Sequence, residues 1–127
     1  MIVMDACALL ALLQREPGSD RVQQALPNAV MSVANLAEVL GKAADRGLDV
    51  QRQYQLVASL GIRFEPVTEE DAVTSARLRR REAGGQPVLS LGDRLCLALA
   101  RRLDLPALTA HRAWEVVDHG VDVHMFR

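Results

Sequence analysis

Along the chain, short runs of consecutive apolar residues alternate with longer stretches in which apolar positions recur at helical spacing. Ile2-Val3-Met4 is the first run and reads as a short buried strand ending at Asp5. Ala6 to Gln14 is strong helix-forming sequence, closed by Glu16-Pro17-Gly18. A second helix is predicted from Asp20 to Leu26, stopped at Pro27-Asn28. Ala29-Val30-Met31 is the next strand, with Ser32 as N-cap of the helix behind it. There Val33, Leu36, Ala37, Leu40 and Ala44 form the apolar stripe, and Gly47 ends the helix. Asp49 to Leu60 reads as a further helix with Gly61 as its stop, and 62–67 as a strand. Thr68-Glu69-Glu70-Asp71 opens a helix expected to run to about Ala83, where Gly84-Gly85 ends it. Ser90 to Leu103 is the next helix and Ala107 to Thr109 the next strand. A helical turn near Arg112 to Val117 precedes a last strand, Asp122 to Phe126.

Strands alternating with helices imply a parallel sheet covered on both faces. The expectation is an α/β three-layer sandwich with a mostly parallel central sheet, one domain over 1–127. Half of the residues are hydrophobic and mean hydropathy is +0.06, enough for a substantial core without staples. Aromatic residues are only 3%, so Leu, Val and Ala must build that core. The formal net charge of -1 gives no overall pull toward polyanions, so any such partner must use local patches. The two cysteines, Cys7 and Cys96, lack metal-type or redox-type spacing and suggest free thiols, although spacing alone leaves a disulfide open. The apolar run Ala6 to Leu13 is too short to span a bilayer and has no basic flank. The chain is therefore expected to be cytoplasmic, with no membrane partner.

Polar residues at strand–helix junctions carry the candidate chemistry. Asp5 follows the first strand, and Asp93 opens the helix that starts at Ser90; each also suits plain N-capping. Thr68 and Asp71 share the Ser90–Asp93 spacing with no chemistry suggested nearby. Glu38 lies about 140° round its helix from Val33 at ~100° per residue, beside the apolar stripe, where a solvated Glu is also ordinary. Ligands of open α/β sheets bind outside the carboxyl ends of the strands. If the strands before Asp5 and Asp93 are neighbours, these carboxylates converge there. Two carboxylates ~4 Å apart repel by roughly 4 kcal/mol at an effective dielectric of ~20, and a cation between them removes that penalty. Oxygen donors with open positions suit Mg²⁺ or Mn²⁺.

The segments M-D-A-C-A-L-L-A-L-L, S-V-A-N-L-A-E-V-L and L-S-L-G-D-R-L-C-L-A-L-A, with L-P-A-L-T-A-H-R-A-W after them, resemble the PIN-domain ribonucleases, and among these the VapC-type toxins. The resemblance covers nearly the whole chain. It implies a metal-dependent endoribonuclease of a toxin–antitoxin pair, a homodimer silenced by a cognate antitoxin that inserts residues into its acidic pocket. Asp5, Glu38 and Asp93 match the family's metal-binding acids. Two positions depart from the pattern: His111 stands where another Asp is usual, and Cys7 where a small hydroxyl residue is common. Histidine is a poor Mg²⁺ ligand but a fair one for Mn²⁺ or Zn²⁺, so His111 is expected to line the pocket and to lower Mg²⁺-supported activity. Cys7 is expected to pack as a small side chain rather than to ligate.

Thr109 and Ser90 stand close enough in sequence to the pocket to orient an acid or water. Arg94 and Arg112 flank it and are candidates for RNA phosphate contact, together with the run Arg77, Arg79, Arg80 and Arg81. His119 and His124 are expected to be structural. Leu48, Val50, Leu56 and Val57 suggest a subunit or antitoxin interface, or core. Two rival readings follow from the same residues. One is a catalytically weak module of the same fold that binds antitoxin or RNA. The other is a receiver-like domain, which is disfavoured because the only lysine, Lys42, lies mid-helix.

Overall fold

The computed structural model describes residues 1–79 and 88–127; Arg80, Arg81, Ala83, Gly84 and Gly85 lie outside the described residues. Five short strands are formed by Ile2–Met4 (β1), Ala29–Ser32 (β2), Arg63–Glu65 (β3), Ala107–Thr109 (β4) and Val123–Met125 (β5). Between them lie helices Ala6–Leu13 (α1), Ser19–Ala25 (α2), Val33–Asp45 (α3), Val50–Ala58 (α4), Glu69–Arg77 (α5) and Leu91–Leu103 (α6), with 3₁₀ turns at Leu26–Asn28 and Arg112–Val116. The strands pair in the order β3-β2-β1-β4-β5, every pair parallel.

Side-chain alternation along these strands divides the core in two. Met4, Ala29, Met31 and Leu108 pack on one face with α1 and with Val39 of α3. Val3, Val30 and Ala107 pack on the other with Cys96, Leu97 and Leu99 of α6 and the fully buried Trp114. The expected three-layer α/β arrangement is thus present. β1 is flanked by β2 on one side and β4 on the other. The chain therefore leaves the carboxyl ends of β1 and β4 toward opposite faces, which opens a crevice between them. Asp5 N donates to Leu108 O at 3.1 Å, continuing the β1–β4 ladder to the rim of that crevice.

Two elements differ from the sequence expectation. Helix α5 ends at Arg77 instead of running to Ala83. Continuing it would have stacked Arg77 against Arg80 and Arg81 at i,i+3 and i,i+4, a like-charge arrangement that disfavours helix. Helix α3 buries only part of the stripe named above: Leu36 packs against the core and Leu40 is half-buried, Val33, Ala37 and Ala44 are exposed, and Asn35, Val39 and Ala43 face inward. Asn35 is buried although polar, because its amide group donates to acceptors inside the fold. Val57 is core, while Leu48, Val50 and Leu56 are exposed. Both cysteines are free.

Helix α5 starts with a capping box in which Thr68 and Asp71 exchange side-chain and backbone bonds. Asp71, nearly buried, also accepts Arg102 Nε at 2.9 Å and Nη2 at 3.1 Å, tying α5 to α6. Removing the guanidinium strands a buried carboxylate. Arg102→Ala is therefore expected to destabilise the fold by about 2–3 kcal/mol, read as a lower denaturant midpoint with an unchanged slope.

Candidate metal centre

Asp5 is the N-cap of α1 and is 1% exposed. Its Oδ1 accepts Ala6 N at 2.8 Å, and its Oδ2 accepts the Thr109 hydroxyl at 2.9 Å and the Cys7 thiol at 3.1 Å. Thr109 is the last residue of β4, so the β1–β4 pairing itself brings these groups together. His111, two residues beyond β4 and half-exposed, places Nε2 3.5 Å from Asp5 Oδ2 and 4.0 Å from Asp93 Oδ1. Asp93 stands in the first turn of α6, where Ser90 N donates to Oδ2 at 3.0 Å and Asp93 N donates to Ser90 Oγ at 3.1 Å. That capping box leaves Oδ1 toward the histidine.

Glu38 comes from α3, which crosses the same rim and touches both α1 and α6. Its Oε1 accepts Asn35 Nδ2 at 2.8 Å, and the same amide group donates to Gly92 O at 3.1 Å. A Cβ at Gly92 would overlap the Glu38 carboxylate, so glycine here leaves that carboxylate room at the start of α6. Asn35, fully buried, and Gly92 are the positioning residues that periodicity missed. A signal was available, since Asn35 sits one helical turn before Glu38 and Gly92 directly precedes Asp93.

Burial raises the Asp5 carboxyl above its ordinary range, and the Asp93 charge adds to the rise; bonds from Cys7 and Thr109 oppose it. Glu38 is raised as well, first by desolvation and further by Asp5 and Asp93, with the Asn35 bond opposing. Each carboxylate is thus within electrostatic reach of the others. The three acids named from sequence do meet at one rim, but they are not its tightest cluster. Among the described residues, the group whose ligand atoms all lie within 4.8 Å of one another is Asp5, Cys7 and His111. Cys7 is therefore not merely a packed side chain. Burial, then the Asp5 charge, pushes its thiol up to about 12, so at neutral pH it is a donor to Asp5.

The other candidates divide. Thr109 orients Asp5, and Ser90 caps α6 beneath Asp93. Arg112 keeps an exposed side chain that reaches Arg127 O and Glu115. Arg94 is excluded from phosphate contact. It is buried, with Nη1 donating to Ser75 O at 3.1 Å and Nε to Ser90 O at 3.3 Å, because one residue after Asp93 the helix has turned it toward α5. His119 is structural: its ring bridges Trp114 O and Val121 N. His124 pairs at the surface with Asp122.

The donor set fits a divalent cation. Two carboxyls held above their ordinary pKa by burial and neighbouring charge, those of Asp5 and Glu38, with the Asp93 carboxylate beside them, are what an added positive charge would relieve. A carboxyl whose folded pKa is raised favours the fold below its unfolded value, near pH 4, and that contribution is lost as pH rises through the folded value. Glu38→Gln keeps the acceptor for Asn35 and removes the charge. It is expected to raise the thermal midpoint of metal-free protein at pH 7 and to shrink the rise that a divalent cation produces. Gly92→Ala is expected to leave the fold intact or stabilise it by up to about 1 kcal/mol through helix propensity, because the atom it meets is the end of a flexible side chain. The same variant should lower cation affinity, measured by calorimetric titration.

The PIN domain profile matches residues 2–120 of the chain. No curated protein matches it in a sequence search. Solved structures share its fold over essentially their full lengths. A toxin–antitoxin complex from Klebsiella pneumoniae superposes with a TM-score of 0.75 at 19% identity, covering 100% of this chain and 98% of that one. DNA-bound VapBC from Salmonella typhimurium gives 0.74 at 15% identity, with 100% of both chains covered. FitAcB from Neisseria gonorrhoeae gives 0.70 at 21%, covering 97% and 96%. With the profile spanning residues 2–120, from β1 through β4 and beyond, the chain belongs to the PIN domain family.

Proposed function

We propose that this PIN domain is the toxin of a type II toxin–antitoxin pair, a metal-dependent endoribonuclease that hydrolyses RNA phosphodiesters. The observation that carries this reading is the convergence of Asp5, Glu38 and Asp93 at the carboxyl ends of β1 and β4. Together they would hold Mg²⁺ or Mn²⁺. When bound, such an ion lowers the pKa of its water and offsets charge developing on the phosphate.

The protein's own residues set the geometry. The Thr109 hydroxyl fixes the Asp5 carboxylate, the Asn35 amide fixes Glu38, and the Ser90 backbone N–H fixes Asp93, so the three acceptors are oriented before any substrate arrives. His111 presents Nε2 at the open side, between Asp5 and Asp93, where it can donate to a phosphate oxygen. With Arg94 withdrawn, Arg112 and the exposed Arg77 and Arg79 remain for the RNA backbone.

The partner reading has separate support. Leu10, Leu13, Val39, Ala43, Leu48 and Leu56 line a groove of about 260 Å³ between α1, α3 and α4, which suits an apolar segment of an antitoxin. We further propose a single domain that forms a homodimer and works in the cytoplasm. No helix among the described residues is long and apolar enough to cross a membrane.

A second reading, a weakened nuclease that acts mainly by binding antitoxin or RNA, is favoured by one feature: His111 occupies a corner where the family resemblance expects a carboxylate. Incubating purified protein with total RNA separates the two. Cleavage with Mg²⁺ or Mn²⁺ that falls by about a hundredfold or more in Asp5→Asn supports the nuclease, and a faster Mg²⁺ rate in His111→Asp shows that the histidine limits it. RNA left intact under every cation rejects the nuclease reading.

A further inference from the structure

We propose that Asp5, Cys7 and His111 form a binding site for a borderline divalent cation of the Zn²⁺ class, with one carboxylate oxygen, one thiolate sulfur and one imidazole nitrogen as ligands. This goes beyond the nuclease reading: it concerns a different donor set at the same rim, and it stands or falls on binding alone.

Geometry is the first support. Cys7 Sγ lies 3.1 Å and His111 Nε2 3.5 Å from Asp5 Oδ2, and all three ligand atoms lie within 4.8 Å of one another. Tetrahedral zinc bonds of ~2.0–2.3 Å require neighbouring donors roughly 3.3–3.7 Å apart, so the two separations from Asp5 Oδ2 lie at or within a few tenths of an ångström of a ligating arrangement, and the third pair is bounded by 4.8 Å. The framework is also fixed. Asp5 and Cys7 sit at the start of one helix, and His111 follows the strand paired with β1, held by its own N–H to Thr109 Oγ1 at 3.1 Å. Ala110 N donates to Cys7 Sγ at 3.5 Å, a contact that supports negative charge on the sulfur.

Donor chemistry is the second support. Sulfur and imidazole discriminate against Mg²⁺, which prefers oxygen and retains its waters, and favour Zn²⁺ and its neighbours in the first transition row. At present a proton on Cys7 bridges sulfur to Asp5 Oδ2. A cation would replace that proton, which passes to solvent as the thiolate forms. Half-exposed His111 leaves the outer side open to a further ligand from solution, the arrangement of three protein ligands and one free position. Because Asp5 belongs to both donor sets, a cation here competes with one held by Asp5, Glu38 and Asp93.

The test uses metal-free full-length protein without RNA, so it is independent of whether the chain cleaves anything. Zn²⁺ and Mg²⁺ are titrated calorimetrically, and Co²⁺ serves as a spectroscopic probe for Zn²⁺. Expected are one Zn²⁺ bound more tightly than Mg²⁺, and a sulfur-to-cobalt charge-transfer band in the near ultraviolet. Cys7→Ser should abolish that band and weaken Zn²⁺ by more than about tenfold, and His111→Asp should weaken Zn²⁺ comparably while strengthening Mg²⁺. Cys96→Ala, whose side chain is fully buried in the opposite core layer, should keep the band. X-ray absorption of the wild-type Zn²⁺ complex, which needs no variant to fold, should show a single sulfur neighbour. Absence of sulfur from that spectrum, Zn²⁺ affinity no higher than Mg²⁺ affinity, or a band that survives Cys7→Ser overturns the proposal.

Discussion

The rim depends on keeping one carboxylate where burial disfavours its charge. Asp5 is nearly sealed at the end of β1, with Asp93 and Glu38 within electrostatic reach. Burying an ionised group is tolerated only when donors or counter-charges surround it. Ala6 N–H, the Thr109 hydroxyl, the Cys7 thiol and the His111 ring supply that surrounding. None of them is a permanent cation. The nearby arginine that could have served, Arg94, is directed into the α5–α6 contact instead. The fold therefore maintains a local deficit of positive charge, a condition that destabilises the protein slightly and makes the rim attractive to metal ions.

Comparison of the two capping boxes shows how the same local motif is put to different ends. Thr68–Asp71 and Ser90–Asp93 make the same reciprocal bonds at the starts of α5 and α6. Asp71 then finds Arg102 and becomes a structural clamp, whose bond in turn holds the Arg102 guanidinium above its ordinary value. Asp93 finds a histidine and other acids, and stays available. The clamp and Arg94 together pin α6 against α5, which keeps Gly92 in contact with Glu38. Support for the site is thus drawn from a face of the protein that never touches it.

Much of the architecture was legible because parallel α/β folds write their elements in short, separable words. The strands and helices placed by residue range from the apolar pattern are present, within a few residues at most ends, but no strand precedes Asp93 among the described residues. The failures have physical causes. The α3 stripe omits Asn35 because periodicity scores polarity, whereas this polar side chain is buried with its amide group donating to Glu38 and Gly92. Helix α5 ends at Arg77, ahead of the Gly84-Gly85 stop, because the like-charge conflict along the arginine run comes first. Arg94 looked like a phosphate ligand because adjacency to Asp93 in sequence was mistaken for adjacency in space.

Taken alone, the amino-acid order determined which residues begin helices, which runs are buried strands, and that Asp5 and Asp93 stand at helix starts. Those are local properties, set by propensity, capping and alternation over a few residues. Only the tertiary structure decided that β1 lies beside β4, because strand order depends on which faces and crossovers pack together across the whole chain. That pairing brings Thr109 and His111 to Asp5 across more than a hundred residues. It also turns Cys7 from a small packed side chain into a donor within reach of two others.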